Sequence, residues 1–223
     1  MMRRVIEPEL MDDPEQALAY ARADFDAPHN EIIEHFARVF ANVDIEGDVL
    51  DLGCGPADVT VRFAHRYPRC RIDGIDGAPA MLAHGRSRIE QAGLSDRIRL
   101  LHHRLPTDSL PRAHYMTVIS NSLLHHLHDP MVLWLSVKQA AAPAARIFIA
   151  DLMRPANAHT ARALVTQYAA NEPPILQRDF YNSLRAAFTP DEVKAQLAAT
   201  GLDHVSVEII SDRHLVAWGR AHA

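Results

Sequence analysis

The 223 residues are 48% hydrophobic and 23% charged, with 23 lysines and arginines against 28 acids and a formal charge of −5. That balance excludes a standing basic surface for nucleic acid, and apolar runs far below the ~20 residues of a membrane span exclude a membrane partner. Cys54 and Cys70 form neither a CxxC pair nor a zinc spacing, which excludes a disulfide scaffold and makes a reducing, cytoplasmic setting the expectation.

In chain order, Met1-Met2-Arg3-Arg4 runs into Glu7 and Pro8 rather than into a signal-peptide core. Residues 1–45 read as helical, over 14–25 and 30–40, and are expected as a cap ahead of the first strand. Strands follow over 48–52, 71–75, 98–102, 116–120 and 146–150, with helices over 59–66, 80–92 and 132–141 between them. Strands alternating with helices of this length mean βαβ units and a mainly parallel sheet, with right-handed crossovers placing helices on both faces.

Residues 155–188, with Pro155, Pro173 and Pro174, break the alternation and are expected as a helical insertion over the same edge as the cap. Thr189-Pro190-Asp191-Glu192 then supplies a helix cap, a first-turn proline and a capping glutamate, and Gly201 supplies the stop. Two last strands, over 205–210 and 214–218, are separated only by Ser211-Asp212-Arg213, so an antiparallel hairpin ends the sheet. The expected fold is α/β, a doubly wound seven-stranded sheet within one domain over 1–223.

The most informative segment is Val49-Leu50-Asp51-Leu52-Gly53-Cys54-Gly55-Pro56-Ala57. A strand runs into Asp51, and two glycines then turn the chain into a helix whose free N–H groups can face a ligand. The second strand ends in Ile75-Asp76-Gly77, where a carboxylate can accept both hydroxyls of an adenosine ribose. Position 58 is Asp rather than the glycine of a nicotinamide-binding Gly-x-Gly-x-x-Gly turn.

On these residues the sequence resembles the class I S-adenosylmethionine-dependent methyltransferases of small-molecule type, over about residues 45–220. The family's acid-x-Gly-x-Gly-x-Gly signature falls on Asp51, Gly53 and Gly55, with Ala57 in the third glycine position. The resemblance implies a Rossmann-like fold, S-adenosyl-L-methionine as cofactor and S-adenosyl-L-homocysteine as product. It implies that Asp51, Gly53, Cys54 and Gly55 form the cofactor turn and that Asp76 and Gly77 hold the ribose. Met81 or Leu82 would pack the adenine, and Asn121 and Ser122 would lie beside the methionine part. Arg104 stands about where the family often has an adenine-binding Asp, so backbone groups near Arg104 and Leu105 are the expected substitute.

After the fourth strand comes Ser120-Asn121-Ser122-Leu123-Leu124-His125-His126-Leu127-His128-Asp129-Pro130, part of a total of 14 histidines. The resemblance puts His125 and His126 near the sulfonium methyl, and imidazole suits acceptor binding or proton removal near neutrality. His125, His126 and His128 are too close in sequence to converge on an ion, and no carboxylate-rich motif joins them, so no metal site is expected. Phe25, His29, Asn30, Arg154, Tyr168, Arg178 and Tyr181 are expected around the acceptor, with arginines and aromatics as a clamp. Asp24, Asp26 and Glu31 read as solvated helix positions.

The function expected is methyl transfer to a small-molecule acceptor by a monomer or homodimer without a nucleic-acid partner. An RNA or protein acceptor is a competing reading, against which stand the acidic balance and the lack of an Asn-Pro-Pro-aromatic motif. A non-catalytic cofactor sensor or assembly partner is another.

Overall fold

Five strands, β1 (Glu46–Leu52), β2 (Arg69–Asp76), β3 (Ile98–His102), β4 (Tyr115–Asn121) and β5 (Ala141–Leu152), pair in parallel. The hairpin of β6 (Ser206–Ile209) and β7 (His214–Arg220) closes the sheet, with β7 antiparallel to β5. The order is β3-β2-β1-β4-β5-β7-β6, and the switch in winding falls between β1 and β4. In such sheets the crevice beyond the strands' carboxyl ends at that switch is where ligands bind. The computed structural model describes residues 2–41 and 43–222; Met1, Asn42 and Ala223 lie outside them.

Alternation along β1 sends Val49 to one face and Leu50 to the other, and both are fully buried. On the Leu50 face, α5 (Met131–Ala140) and α8 (Pro190–Ala199) pack Leu133, Trp134, Val137 and Leu197 against the sheet. There the Trp134 indole N–H donates to Gln196 Oε1 at 2.9 Å, joining the two helices. On the Val49 face, α2 (Asp26–Val39) and α3 (Asp58–Arg66) build an aromatic cluster. Phe36 meets the rings of Phe63, Tyr67 and Phe148 at centroid distances of 4.9, 5.6 and 5.3 Å.

Helix α2 departs from the expectation of a cap over 1–45. Its Ile32, Ile33 and Phe36 are core residues, because an apolar stripe of that width is stable only against the sheet. Residues 2–12 and α1 (Pro14–Arg22) do form a cover, and α1 packs on α4 (Pro79–Gln91) through Ala17, Ala78 and Met81. The insertion forms two helices, α6 (Ala158–Ala169) and α7 (Pro174–Ala186), which pack on each other.

Strand β5 begins at Ala141, earlier than expected. The chain leaves α5 directly into extended backbone, and an irregularity between the pairs Tyr115–Ala141 and Thr117–Arg146 absorbs the extra residues, including left-handed Ala144. The capping box on α8 forms as its sequence implies: Thr189 accepts from Glu192 N, and Glu192 accepts from Thr189 N.

Candidate functional site

The strand ends and their cover enclose a cavity of about 320 Å³. Its floor is the turn from β1 into α3. Gly53 and Gly55 hold φ of +72° and +52°, which side-chain-bearing residues adopt only with strain. The N–H groups of Gly53 and Cys54 both donate to the Ile75 carbonyl, at 2.9 and 3.0 Å, so the turn is tied to β2. Ala57 also sits in the left-handed region as the residue before α3, fully buried, and its methyl lies within reach of Gly85 on α4.

Asp51 is buried at the base of the turn, where its Oδ2 accepts from Thr60 Oγ1 at 2.7 Å. Among the described residues its Oδ1 has no partner, and burial pushes the carboxyl up to about 7. Asp76 accepts the Gly55 N–H at 2.9 Å and the Ala78 N–H at 2.7 Å, and burial raises it too. In front of Gly55 there is open space: a Cβ built there would meet nothing within 4 Å. The cavity reaches Gly77, Met81, Leu105 and Arg104, whose guanidinium pairs with Glu9 of the covering segment.

Next to this floor, Asn121 and Ser122 end β4, and Ser122 takes a φ of +58° while donating its N–H to the Ala150 carbonyl at 3.0 Å. A 3-10 turn over Leu124–His126 then puts both imidazoles in the cavity wall. His125 Nδ1 lies 2.5 Å from Asp151 Oδ1, and its Nε2 faces Glu7 Oε1 at 3.7 Å. Burial pulls the His125 imidazole down, but Asp151 and then Glu7 outweigh it and hold it above its usual value. His126 Nδ1 is 3.4 Å from the same Glu7 oxygen, and burial, then His125, push it down to about 3. Both ring nitrogens of His125 thus face carboxylates, which argues against the proton-removing role expected of it.

The roof carries Phe25, which stacks on His29 at 5.1 Å and meets Tyr20 at 4.9 Å. His29 Nδ1 lies 2.5 Å from Asp58 Oδ2, and Arg62 and Arg88 converge on the same carboxylate. Burial is the largest influence on Asp58 and raises it, but His29, Arg62 and Arg88 outweigh it and hold the carboxyl well below the usual range. Tyr168 lines the far end with Leu176, Phe180, Ser183, Arg213 and His214.

Four residues expected around the acceptor lie outside the cavity. Asn30 accepts from Arg62 on the outer side of α2. Arg154 is buried and braces α8, donating to the Ala187 carbonyl at 3.1 Å and to Glu192 at 2.5 Å. Arg178 is exposed and pairs with its neighbour Asp179, while Tyr181 packs into the α6–α7 cluster with Arg162 and Arg185 near its ring face. Helical periodicity explains both: on α7 it is Leu176, Asp179, Phe180 and Ser183 that share the inward face. Asp24 is exposed, as expected, in the loop between α1 and α2 at the cavity, and Asp26 is exposed and pairs with Arg62.

Sequence reasoning missed Glu7 and Leu10, which have no motif, and Asp58, Asp151 and His214. The last was readable in principle: in an antiparallel hairpin beside β5, the first residue of β7 must lie at the carboxyl end of β5, and His214 pairs with Leu152.

Residues 49–144 match the Methyltransferase domain family. A trans-aconitate 2-methyltransferase of Mycobacterium sp. (strain KMS) is 38% identical over 86 residues, 39% of this chain and 32% of that protein. An uncharacterized methyltransferase of Mycobacterium tuberculosis is 37% identical over 105 residues, 47% of this chain and 50% of that one. The chain thus spans at most about half the length of these curated relatives. Among solved structures, a putative S-adenosyl-L-methionine-dependent methyltransferase from Methanococcus maripaludis superposes with a TM-score of 0.74 at 15% identity, covering 98% of both chains. One from Aquifex aeolicus gives 0.67 at 16% identity, over 93% of this chain and 98% of that one. With the β1 turn, the sheet order and the terminal hairpin in place, the chain has the fold of these S-adenosylmethionine-dependent methyltransferases, and its residues 49–144 carry the match to the methyltransferase domain family.

Proposed function

We propose that the protein transfers a methyl group from S-adenosylmethionine to a small, uncharged acceptor. The observation that carries this reading is the cradle around Gly55: open space before a left-handed glycine, flanked by the unpartnered Asp51 Oδ1 and by Asp76. When bound, the sulfonium supplies an already activated methyl group, so the protein's task is alignment and exclusion of water. Asp51 takes the cationic amino end of the methionine part, and Asp76 takes the ribose hydroxyls. Met81 packs the adenine, with backbone near Arg104 and Leu105 on its edge. Asn121 and Ser122 flank the methionine part.

Acceptor size follows from the cover. A cavity of about 320 Å³ lies at the lower end of ligand pockets, and residues 2–12 would have to lift before a polymer could enter. Acceptor charge follows from the far end, where Arg213 is the cation among Glu172 and Asp179, and it is already stacked on Tyr168 and paired with Asp212. A tricarboxylate such as trans-aconitate, named for several relatives, would meet more like charge than opposite charge there.

His214 supplies the polar contact. Ser211 Oγ accepts the N–H groups of Arg213 and His214, at 3.3 and 3.0 Å, so its own proton goes to His214 Nδ1 at 3.0 Å. Burial, then Arg213, push His214 down to about 4, so the ring is neutral and its proton sits on Nε2, which has no partner among the described residues. A neutral N–H donor suits an acceptor's carbonyl or hydroxyl oxygen. His125 and His126 shape the wall in this reading and do not take the acceptor's proton. The reading includes a cytoplasmic monomer or homodimer without a nucleic-acid partner.

Calorimetry with S-adenosylmethionine and S-adenosylhomocysteine tests the cofactor; no binding by the wild type at millimolar ligand overturns the proposal. Metabolite extracts incubated with isotopically labelled cofactor then identify the acceptor, and label appearing only in protein or RNA overturns the small-molecule assignment.

A further inference from the structure

We propose that Glu7, His125 and His126 bind a single divalent cation of the zinc class, which clasps the N-terminal covering segment onto the loop after β4. The donors come from the covering segment and from the turn after β4, and all three donor atoms lie within 4.8 Å of one another. Glu7 Oε1 is 3.4 Å from His126 Nδ1 and 3.7 Å from His125 Nε2. Two ligands each about 2.0–2.1 Å from a tetrahedral zinc ion lie about 3.4 Å apart, so this spacing is that of atoms sharing an ion. It is long for a direct hydrogen bond.

A second observation is the state of the donors. Glu7 is only 10% exposed, yet its Oε1 is buried without a hydrogen-bond partner, and so is His126 Nδ1. Two converging buried polar atoms that bond neither each other nor the rest of the protein carry an uncompensated desolvation cost. An ion between them removes it.

The surroundings hold His125 in place. His125 Nδ1 is engaged by Asp151 Oδ1, which leaves Nε2 as the ligand and forms the carboxylate–histidine pair that orients metal-bound imidazoles. Asp151 is itself fixed by the Leu152 N–H at 2.6 Å. Two imidazoles and one carboxylate select zinc, cobalt or nickel over magnesium or calcium, which take oxygen-rich shells.

The position gives the ion a structural task. Both imidazoles stand in the cavity wall and Glu7 does not, so the ion lies behind the wall. It would add to the bonds by which Arg4 holds the His125 and Leu127 carbonyls, at 3.0 and 2.9 Å, and pin residues 2–12 over the cofactor cleft.

The test uses the full chain stripped of metal with a chelator, then titrated with Zn²⁺ by calorimetry and with Co²⁺ by visible absorption. One equivalent is expected, with tetrahedral cobalt bands and slower amide exchange over residues 2–12. Glu7→Gln and His126→Ala are each expected to weaken binding at least 100-fold, and Asp151→Asn 10- to 100-fold. No uptake of either metal by the wild type at 100 µM overturns the site, as does uptake undiminished in both Glu7→Gln and His126→Ala. Binding of S-adenosylhomocysteine by the stripped protein is measured in parallel. Protein that binds it but takes no metal loses this site and keeps the methyl-transfer reading; protein that takes metal but no cofactor does the reverse.

Discussion

His125 and Asp151 meet at 2.5 Å with side chains only 3% and 2% exposed, a charge-assisted contact between the turn after β4 and the end of β5. The Asp151 carboxylate also accepts the Leu152 N–H and, at 3.4 Å, the His125 N–H, so three polar groups depend on it. Asp151→Ala is expected to cost about 3 kcal/mol, because it strands a buried imidazole and two backbone donors. Asp151→Asn keeps an acceptor oxygen and is expected to cost less. Urea unfolding of the two variants beside wild type measures both, and an alanine variant with an unchanged midpoint contradicts the account.

Asp76→Ala is expected to weaken S-adenosylhomocysteine binding about 100-fold, or about 2.7 kcal/mol. It removes the group proposed for the ribose hydroxyls and also frees the Gly55 and Ala78 N–H groups that shape the cradle. Calorimetry on a variant shown to be folded by its thermal transition gives the number. Wild-type affinity would refute the ribose assignment.

Once an acceptor is in hand, His214→Phe is expected to lower turnover 10- to 100-fold while S-adenosylhomocysteine affinity stays within about threefold of wild type. The ring shape is kept and the donor removed. His214→Gln restores an N–H and is expected to recover part of the loss. Equal effects of the two substitutions would mean that packing against Ser211, rather than the donor, matters.

The Asp58 hub makes stability depend on pH with a defined sign. Its folded pKa lies below the unfolded value, so its contribution is complete above the ordinary carboxylate range and erodes as pH falls through and below that range. Asp58→Asn is expected to cost about 2 kcal/mol at pH 7, since it leaves Arg62, Arg88 and His29 facing a neutral amide. The gap to wild type should narrow by pH 3. Denaturant curves at the two pH values settle it, and a gap that widens in acid reverses the sign.

The sheet was legible because its signals are local. Alternation, the Thr189–Glu192 capping box and the tripeptide Ser211-Asp212-Arg213 each specify structure over a few residues. The floor of the cavity was legible for the same reason, since Asp51, Gly53, Gly55 and Asp76 sit at strand ends that the alternation already places. The lining of its far end was not. Arg154 and Arg178 were attractive as cations, but cation character does not say which way a side chain leaves its element. Arg154 found Glu192 across α8, and Arg178 lies on the outer side of α7. Glu7 was invisible because residues 2–12 have no period, and their path is set by contacts about 120 residues away.

That path has a kinetic consequence. Residues 2–12 are held chiefly by polar contacts, through Arg4, Glu9 and Asp12, while Val5, Ile6 and Leu10 remain substantially exposed. Without an ion on Glu7, such a segment opens at a small fraction of the free energy needed to unfold the sheet beneath it. Ligand exchange would then proceed by release of residues 2–12 while both cores stay intact. The ceiling on turnover would be set by how often that end lets go, at a distance from the atoms that react.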